Sequence, residues 1–118
     1  MKILVLGANG MLGNALIRVL SEKESWEVFG TVRSPDLKKN FSSKNAENLI
    51  VNCEATNYND LKKVFNQLNP EVVINCISLS KKLIKLADPL LLIPIYSLLP
   101  HHLAKLCKDI DARFIQIS

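Results

Sequence analysis

With 118 residues, 48% of them hydrophobic and 22% charged, the chain reads as globular and long enough to close one packed core. Its net charge of +4 is modest, and the densest basic stretch, Lys38, Lys39 and Lys44, reads as a solvated loop rather than a nucleic-acid surface. The amino-terminal apolar run stops at Gly7, which excludes a signal peptide built on it.

Lys2-Ile-Leu-Val-Leu6 is a short apolar run that predicts a strand over residues 2–6. Gly7-Ala-Asn-Gly-Met-Leu-Gly13 follows directly, and a helix is expected over 11–22 with Leu12, Leu16, Val19 and Leu20 on its inner face. Strand, glycine turn and helix opening in that order form the phosphate-binding corner of a dinucleotide fold. Gly7 permits the sharp turn, Gly10 removes a side chain where pyrophosphate must approach, and Gly13 lets the helix lie close on the strand. The helix start adds unpaired N–H groups and a partial positive charge. The candidate phosphate site is therefore Gly7, Asn9, Gly10, Met11, Leu12 and Gly13.

Trp26 to Val32 predicts a second strand. Arg33 ends it, where an acidic residue would accept from the adenosine ribose and repel a 2′-phosphate. An arginine instead offers donors to that phosphate, so NADP is expected over NAD. Residues 33–48 are polar, contain Ser34-Pro35, and predict a loop with one short helical turn. Leu49 to Cys53 predicts a third strand. Leu61, Val64, Phe65 and Leu68 then recur at amphipathic helical spacing, with Asn57 or Asn59 as its cap and Asn69-Pro70 as its end.

Glu71 to Ile77 predicts a fourth strand, apolar enough to be covered on both faces. Leu83 to Pro100 is leucine-rich, but Lys85, Asp88, Pro89, Pro94 and Pro100 interrupt it, which argues for a buried helical region and against a membrane span. Residues 90–108 are expected to be helical with breaks near Pro94 and Pro100, and Arg113 to Ser118 predicts a fifth strand. His101-His102 cannot share one ion, because adjacent helical side chains diverge by about 100°, and reads as polar helix surface. Cys53, Cys76 and Cys107 lack metal-ligand spacing and read as reduced thiols of a cytoplasmic protein. The alternation predicts an α/β, Rossmann-type doubly wound parallel sheet, in strand order 3-2-1-4-5 with right-handed crossovers.

Four segments carry a family resemblance: the glycine corner, Asn69-Pro-Glu-Val-Val-Ile-Asn-Cys-Ile77, Asp88-Pro89 and Ala112-Arg-Phe-Ile-Gln-Ile-Ser118. In order and spacing the chain resembles extended short-chain dehydrogenases/reductases, and within them the sugar-nucleotide branch that includes the dTDP-4-dehydrorhamnose reductases. The resemblance covers the whole chain but only the amino-terminal part of that family. It implies an oxidoreductase that transfers hydride from NADP(H) to a 4-keto sugar nucleotide. It implies that Gly10, Met11 and Leu12 surround the pyrophosphate through backbone groups. It also places Glu54 and Ala55 beside the adenine, and Cys76, Ile77 and Ser78 on the nicotinamide side.

Ketone reduction needs a donor for the nascent alkoxide, a task that falls in this family to a Tyr-x-x-x-Lys pair and a Ser/Thr after the fifth strand. Tyr58 and Lys62 match that spacing but lie too early in the chain, so no catalytic residue is assigned. Ser118 stands one residue before the family's threonine, and Tyr96 stands where the family commonly carries asparagine. The chain is therefore expected to be an incomplete cofactor domain, residues 1–118, with its substrate domain absent. Its fifth-strand edge and the Leu90–Leu106 region are expected to favour self-association. The alternative is a non-catalytic, NADP-binding regulatory module, as in the regulatory beta subunit of methionine adenosyltransferase.

Overall fold

The computed structural model describes residues 1–78 and 88–117. Five parallel strands form one sheet: β1 (Lys2–Leu6), β2 (Glu27–Thr31), β3 (Leu49–Ile50), β4 (Val72–Asn75) and β5 (Arg113–Gln116), in the order β3-β2-β1-β4-β5. Ile3 lies between Val28 of β2 and Val72 of β4, which fixes the register of the central three strands. The expected topology and strand order are both present.

Both faces of the sheet are covered, so β1 is apolar at every position from Ile3 to Leu6. Ile3 and Val5 face helix α1 (Met11–Leu20), packing with Ile17, Val28 and Leu49. Leu4 and Leu6 face the other way, against Leu61 and Phe65 of helix α3 (Tyr58–Leu68) and Leu99 and Leu103 of helix α5 (Leu99–Asp109). Asn57 caps α3, its side chain accepting from the Asp60 N–H at 3.1 Å, and the left-handed Asn69 closes it.

Several local expectations are corrected. The inner face of α1 centres on Gly13 and Ile17, with Leu16 and Leu20 half-buried against the same core as expected, whereas Leu12 and Val19 are 45% and 60% exposed. A Cβ on Gly13 would stand 2.1 Å from the Gly7 carbonyl oxygen, so the missing side chain draws α1 in along that line and leaves Leu12 and Val19 facing outward. β3 stops after two residues because Asn52 is left-handed (φ 59°) and turns the chain away. Residues 33–48 hold two helical turns, a 3₁₀ turn (Pro35–Asn40) and α2 (Ser43–Ala46), where the Ser42 hydroxyl accepts from the Asn45 N–H.

The prolines do not break the later helix. Asp88 caps α4 (Pro89–Ile93) by accepting from the Leu90 N–H at 3.0 Å, and a π turn (Pro94–Leu98) runs straight into α5. Its i→i−5 bond, from the Leu99 N–H to the Pro94 carbonyl, widens the ladder where Pro100 has no N–H to contribute. The region is not buried throughout: Leu90, Ile93, Tyr96 and Leu98 are 45–82% exposed. Lys85, and Ser118 at the end of the expected fifth strand, lie outside the described residues. Among the described residues no helix is long and apolar enough to cross a membrane.

Candidate functional site

The site forms where strand order reverses. β1 runs between β2 on one side and β4 on the other, and the chains leaving their carboxyl ends part to leave a cleft. Gly7 leaves β1 with φ +80°, a left-handed conformation that strains any residue with a side chain. A Cβ there would also lie 3.0 Å from the backbone nitrogen of Ile77, so the corner is pressed against the chain leaving β4. The turn is closed by the Gly10 N–H donating to the Gly7 carbonyl at 3.2 Å, and α1 begins with Asn14 N–H donating to the Gly10 carbonyl at 2.9 Å.

Gly10 differs from the other two glycines. Its backbone is ordinary (φ −74°, ψ 167°), and a Cβ on it would meet nothing closer than the Gly7 oxygen at 3.6 Å. Packing within the protein therefore requires Gly7 and Gly13 and leaves Gly10 unexplained. Among the described residues no side chain caps α1, whose first N–H groups open the helix beside Gly10.

The cleft has a volume of about 250 Å³. Gly7, Asn9 and Gly10 supply its β1 wall, and Arg33 sits exposed at the rim after β2. Glu54 and the buried Ala55 follow β3, and Cys76, Ile77 and Ser78 follow β4. Nine of the twelve sequence-assigned residues thus meet in one cleft. Met11, Leu12 and Gly13 do not line it: Met11 is 94% exposed, and Gly13 is buried under α1.

Four further residues line the cleft that sequence reasoning did not assign: Thr31, Val32, Cys53 and Ile95. Thr31 had a legible signal, a polar residue ending an apolar strand. It is 4% exposed, its hydroxyl accepts from the Gly7 N–H at 3.4 Å, and its carbonyl accepts from the Ala8 N–H at 3.1 Å. Ile95 had none, because the π turn that delivers it is not visible as a pattern.

The surroundings of the cleft thiols favour the protonated form. Burial, reinforced by the Asp60 and Glu54 carboxylates, pushes the Cys53 thiol up to about 11, and burial also raises Cys76. Tyr58 does not line the cleft; its ring meets His102 edge-on with centroids 5.0 Å apart. His102 is thus half-buried packing, and His101 alone is the exposed surface expected of the pair. Among the described residues no group of three or more His, Cys, Asp or Glu is placed to hold a metal ion.

Residues 3–118 match the NAD dependent epimerase/dehydratase family. Comparison with curated protein sequences gives no match. Among solved structures, a hypothetical dTDP-4-dehydrorhamnose reductase from Sulfolobus tokodaii superposes with a TM-score of 0.77 at 24% identity, over 100% of this chain and 39% of that one. A dTDP-4-dehydrorhamnose reductase from Clostridium acetobutylicum gives 0.71 at 29% identity, over 100% of this chain and 36% of that one. A third, the Bacillus anthracis dTDP-4-dehydrorhamnose reductase in complex with NADP, gives 0.70 at 20% identity, over 96% and 34%. The chain thus spans less than two-fifths of the length of each relative. A glycine corner, a cleft at the strand-order reversal and a family match over nearly every residue agree: the chain belongs to the NAD dependent epimerase/dehydratase family.

Proposed function

We propose that residues 1–118 are the NADP(H)-binding portion of a cytoplasmic sugar-nucleotide oxidoreductase that reduces a 4-keto sugar nucleotide. The carrying observation is Gly10: the fold does not need a glycine there, and the open space above it adjoins uncapped N–H groups at the α1 start. The residues fit a dinucleotide. Gly10 and the first N–H groups of α1 would receive the pyrophosphate, Glu54 and Ala55 the adenine, and Cys76, Ile77 and Ser78 the nicotinamide side. The bound dinucleotide supplies the hydride. Arg33, exposed at the rim with its five donors, favours a 2′-phosphate and hence NADP over NAD. The dTDP-4-dehydrorhamnose reductases among the similar structures support the sugar-nucleotide substrate class.

In this reading the chain's described residues bind and orient, and none of them is assigned to supply the proton. Tyr58, the one tyrosine spaced four from a lysine, is engaged with His102 outside the cleft. That observation favours a second reading, a non-catalytic NADP-binding module that acts through a partner. Calorimetric titration with NADPH and NADH tests the cofactor. Arg33→Ala is expected to weaken NADPH about tenfold, as loss of a solvent-accessible charged hydrogen bond does, and to leave NADH within about twofold. Equal affinities insensitive to the substitution would remove Arg33 from the argument. NADPH oxidation with a dTDP-4-keto-6-deoxysugar separates the enzyme from the module.

A further inference from the structure

The floor of the cleft is held from behind by a residue that does not line it. Asn75, the last residue of β4, is 1% exposed in an otherwise apolar strand. Its side-chain oxygen accepts from the Ile77 N–H at 3.1 Å, and its side-chain nitrogen donates to Gln116 Oε1 at 2.9 Å. Its backbone carbonyl accepts from the Ile117 N–H at 3.2 Å. One residue thus joins the chain leaving β4 to the chain leaving β5.

We propose that Asn75 is a positioning residue: it fixes Cys76, Ile77 and Ser78 against Gly7 and ties that floor to the end of β5 through Gln116. The inference rests on the dinucleotide reading of the cleft and deepens it. The chemistry suits an amide at this place. Past the last sheet pairing the Ile77 N–H has no partner strand, and an acceptor two residues back turns the chain out of the sheet. The Asn75 amide serves Ile77 and Gln116 together, its oxygen accepting from one and its nitrogen donating to the other. Ile77 is also the residue whose backbone nitrogen would lie 3.0 Å from a Gly7 Cβ, so its placement sets the width of the corner. The Leu6 carbonyl completes the attachment by accepting from the Cys76 N–H at 2.9 Å.

A role in positioning the nicotinamide half differs from a role in holding the sheet together, because the adenine half of the ligand does not pass over this floor. The experiment uses the 118-residue chain, NADP+, and adenosine 2′,5′-bisphosphate as the adenine half alone. Asn75→Leu keeps the volume and removes both bonds; Gln116→Ala cuts the β5 tie at an exposed position and leaves the bond to Ile77. Asn75→Leu is expected to weaken NADP+ about tenfold and Gln116→Ala about threefold, with the bisphosphate within about twofold in both. Amide exchange at Ile77 is expected to speed up at least tenfold in Asn75→Leu. Should Asn75→Leu fail to fold, Gln116→Ala decides: NADP+ binding equal to wild type overturns the proposal. Parallel loss of both ligands in the variants overturns it too, since that marks a purely structural residue. A wild-type chain that binds neither ligand overturns the underlying cofactor reading instead.

Discussion

Replacing Gly10 and Gly13 by alanine, one at a time, separates what the glycine corner does for the fold from what it does for a ligand. At Gly13 the new Cβ would stand 2.1 Å from the Gly7 oxygen, 2.9 Å from the Gly7 carbonyl carbon and 3.0 Å from the Ala8 Cα. All three are backbone atoms, so no side chain can swing away and α1 must lift from β1. Overpacking of this kind costs about 1–3 kcal/mol, and contact with fixed backbone belongs at the upper end. The gain in helix propensity from glycine to alanine returns about 1 kcal/mol. The net loss is about 2 kcal/mol, a fall in Tm of roughly 5–10 °C for a domain of this size. At Gly10 the nearest atom is 3.6 Å away and φ is −74°, so the same substitution leaves Tm within about 3 °C. Dinucleotide affinity should reverse the ranking: Gly10→Ala places a methyl group where the pyrophosphate approaches and weakens binding at least about tenfold. Thermal denaturation and calorimetry on the two purified variants give both numbers. A Gly13→Ala chain as stable as wild type, or a Gly10→Ala chain that binds NADPH unchanged, would refute the reasoning.

Alkaline pH should destabilise the fold through its buried thiols. Burial raises Cys53 and Cys107 from 9.0 to about 11, so the unfolded chain loses these protons first and stability falls as pH rises from about 9 to 11. After allowance for solvent screening the loss is about 1–2 kcal/mol per thiol; urea titrations of wild type and Cys107→Ala check it, and identical slopes against pH would contradict the burial argument. The 118-residue chain should also self-associate, because among the described residues β5 is paired on one side only and Leu90, Ile93, Tyr96 and Leu98 present apolar surface. Light scattering across a concentration series tests this, and a monodisperse monomer at millimolar concentration argues against it. Reductase turnover with NADPH and a dTDP-4-keto-6-deoxysugar should stay at background, since Tyr58 lies outside the cleft; robust turnover would locate a proton donor elsewhere.

The strand order was legible because it follows from few constraints: apolar runs too short for helices, crossovers long enough to hold one, and a single favoured handedness. The cleft was legible for a related reason, since a parallel sheet puts all its strand ends on one side, and the residues just past β1, β2, β3 and β4 meet there. The inner face of α1 was right for Leu16 and Leu20 and wrong for Leu12 and Val19, because hydrophobic periodicity weighs side chains, and the residue that determines this contact, Gly13, has none. Helix continuity through Pro94 and Pro100 was hidden because a proline marks a missing donor and does not show that a π turn can bridge it. Asn75 drew no reading of its own inside an apolar strand, because its two hydrogen bonds reach residues two and forty-one positions away.

Gly10 shows where reading a sequence and reading a structure part company. In the sequence it is one of three equally spaced glycines, and each could be a turn residue. In the structure Gly7 is fixed by its backbone angle and by Ile77, and Gly13 by the Gly7 carbonyl, so both would be needed in a protein that bound nothing. Gly10 has neither constraint. A glycine at a helix start offers no side-chain cap, which a serine or aspartate would supply with a gain of roughly a few tenths of a kcal/mol. The chain forgoes that stabilisation at the one corner position where a side chain would fit, and the position opens onto the cleft. An unfilled space that the described fold does not need, beside N–H groups that no described side chain caps, is what the proposed anionic ligand would account for.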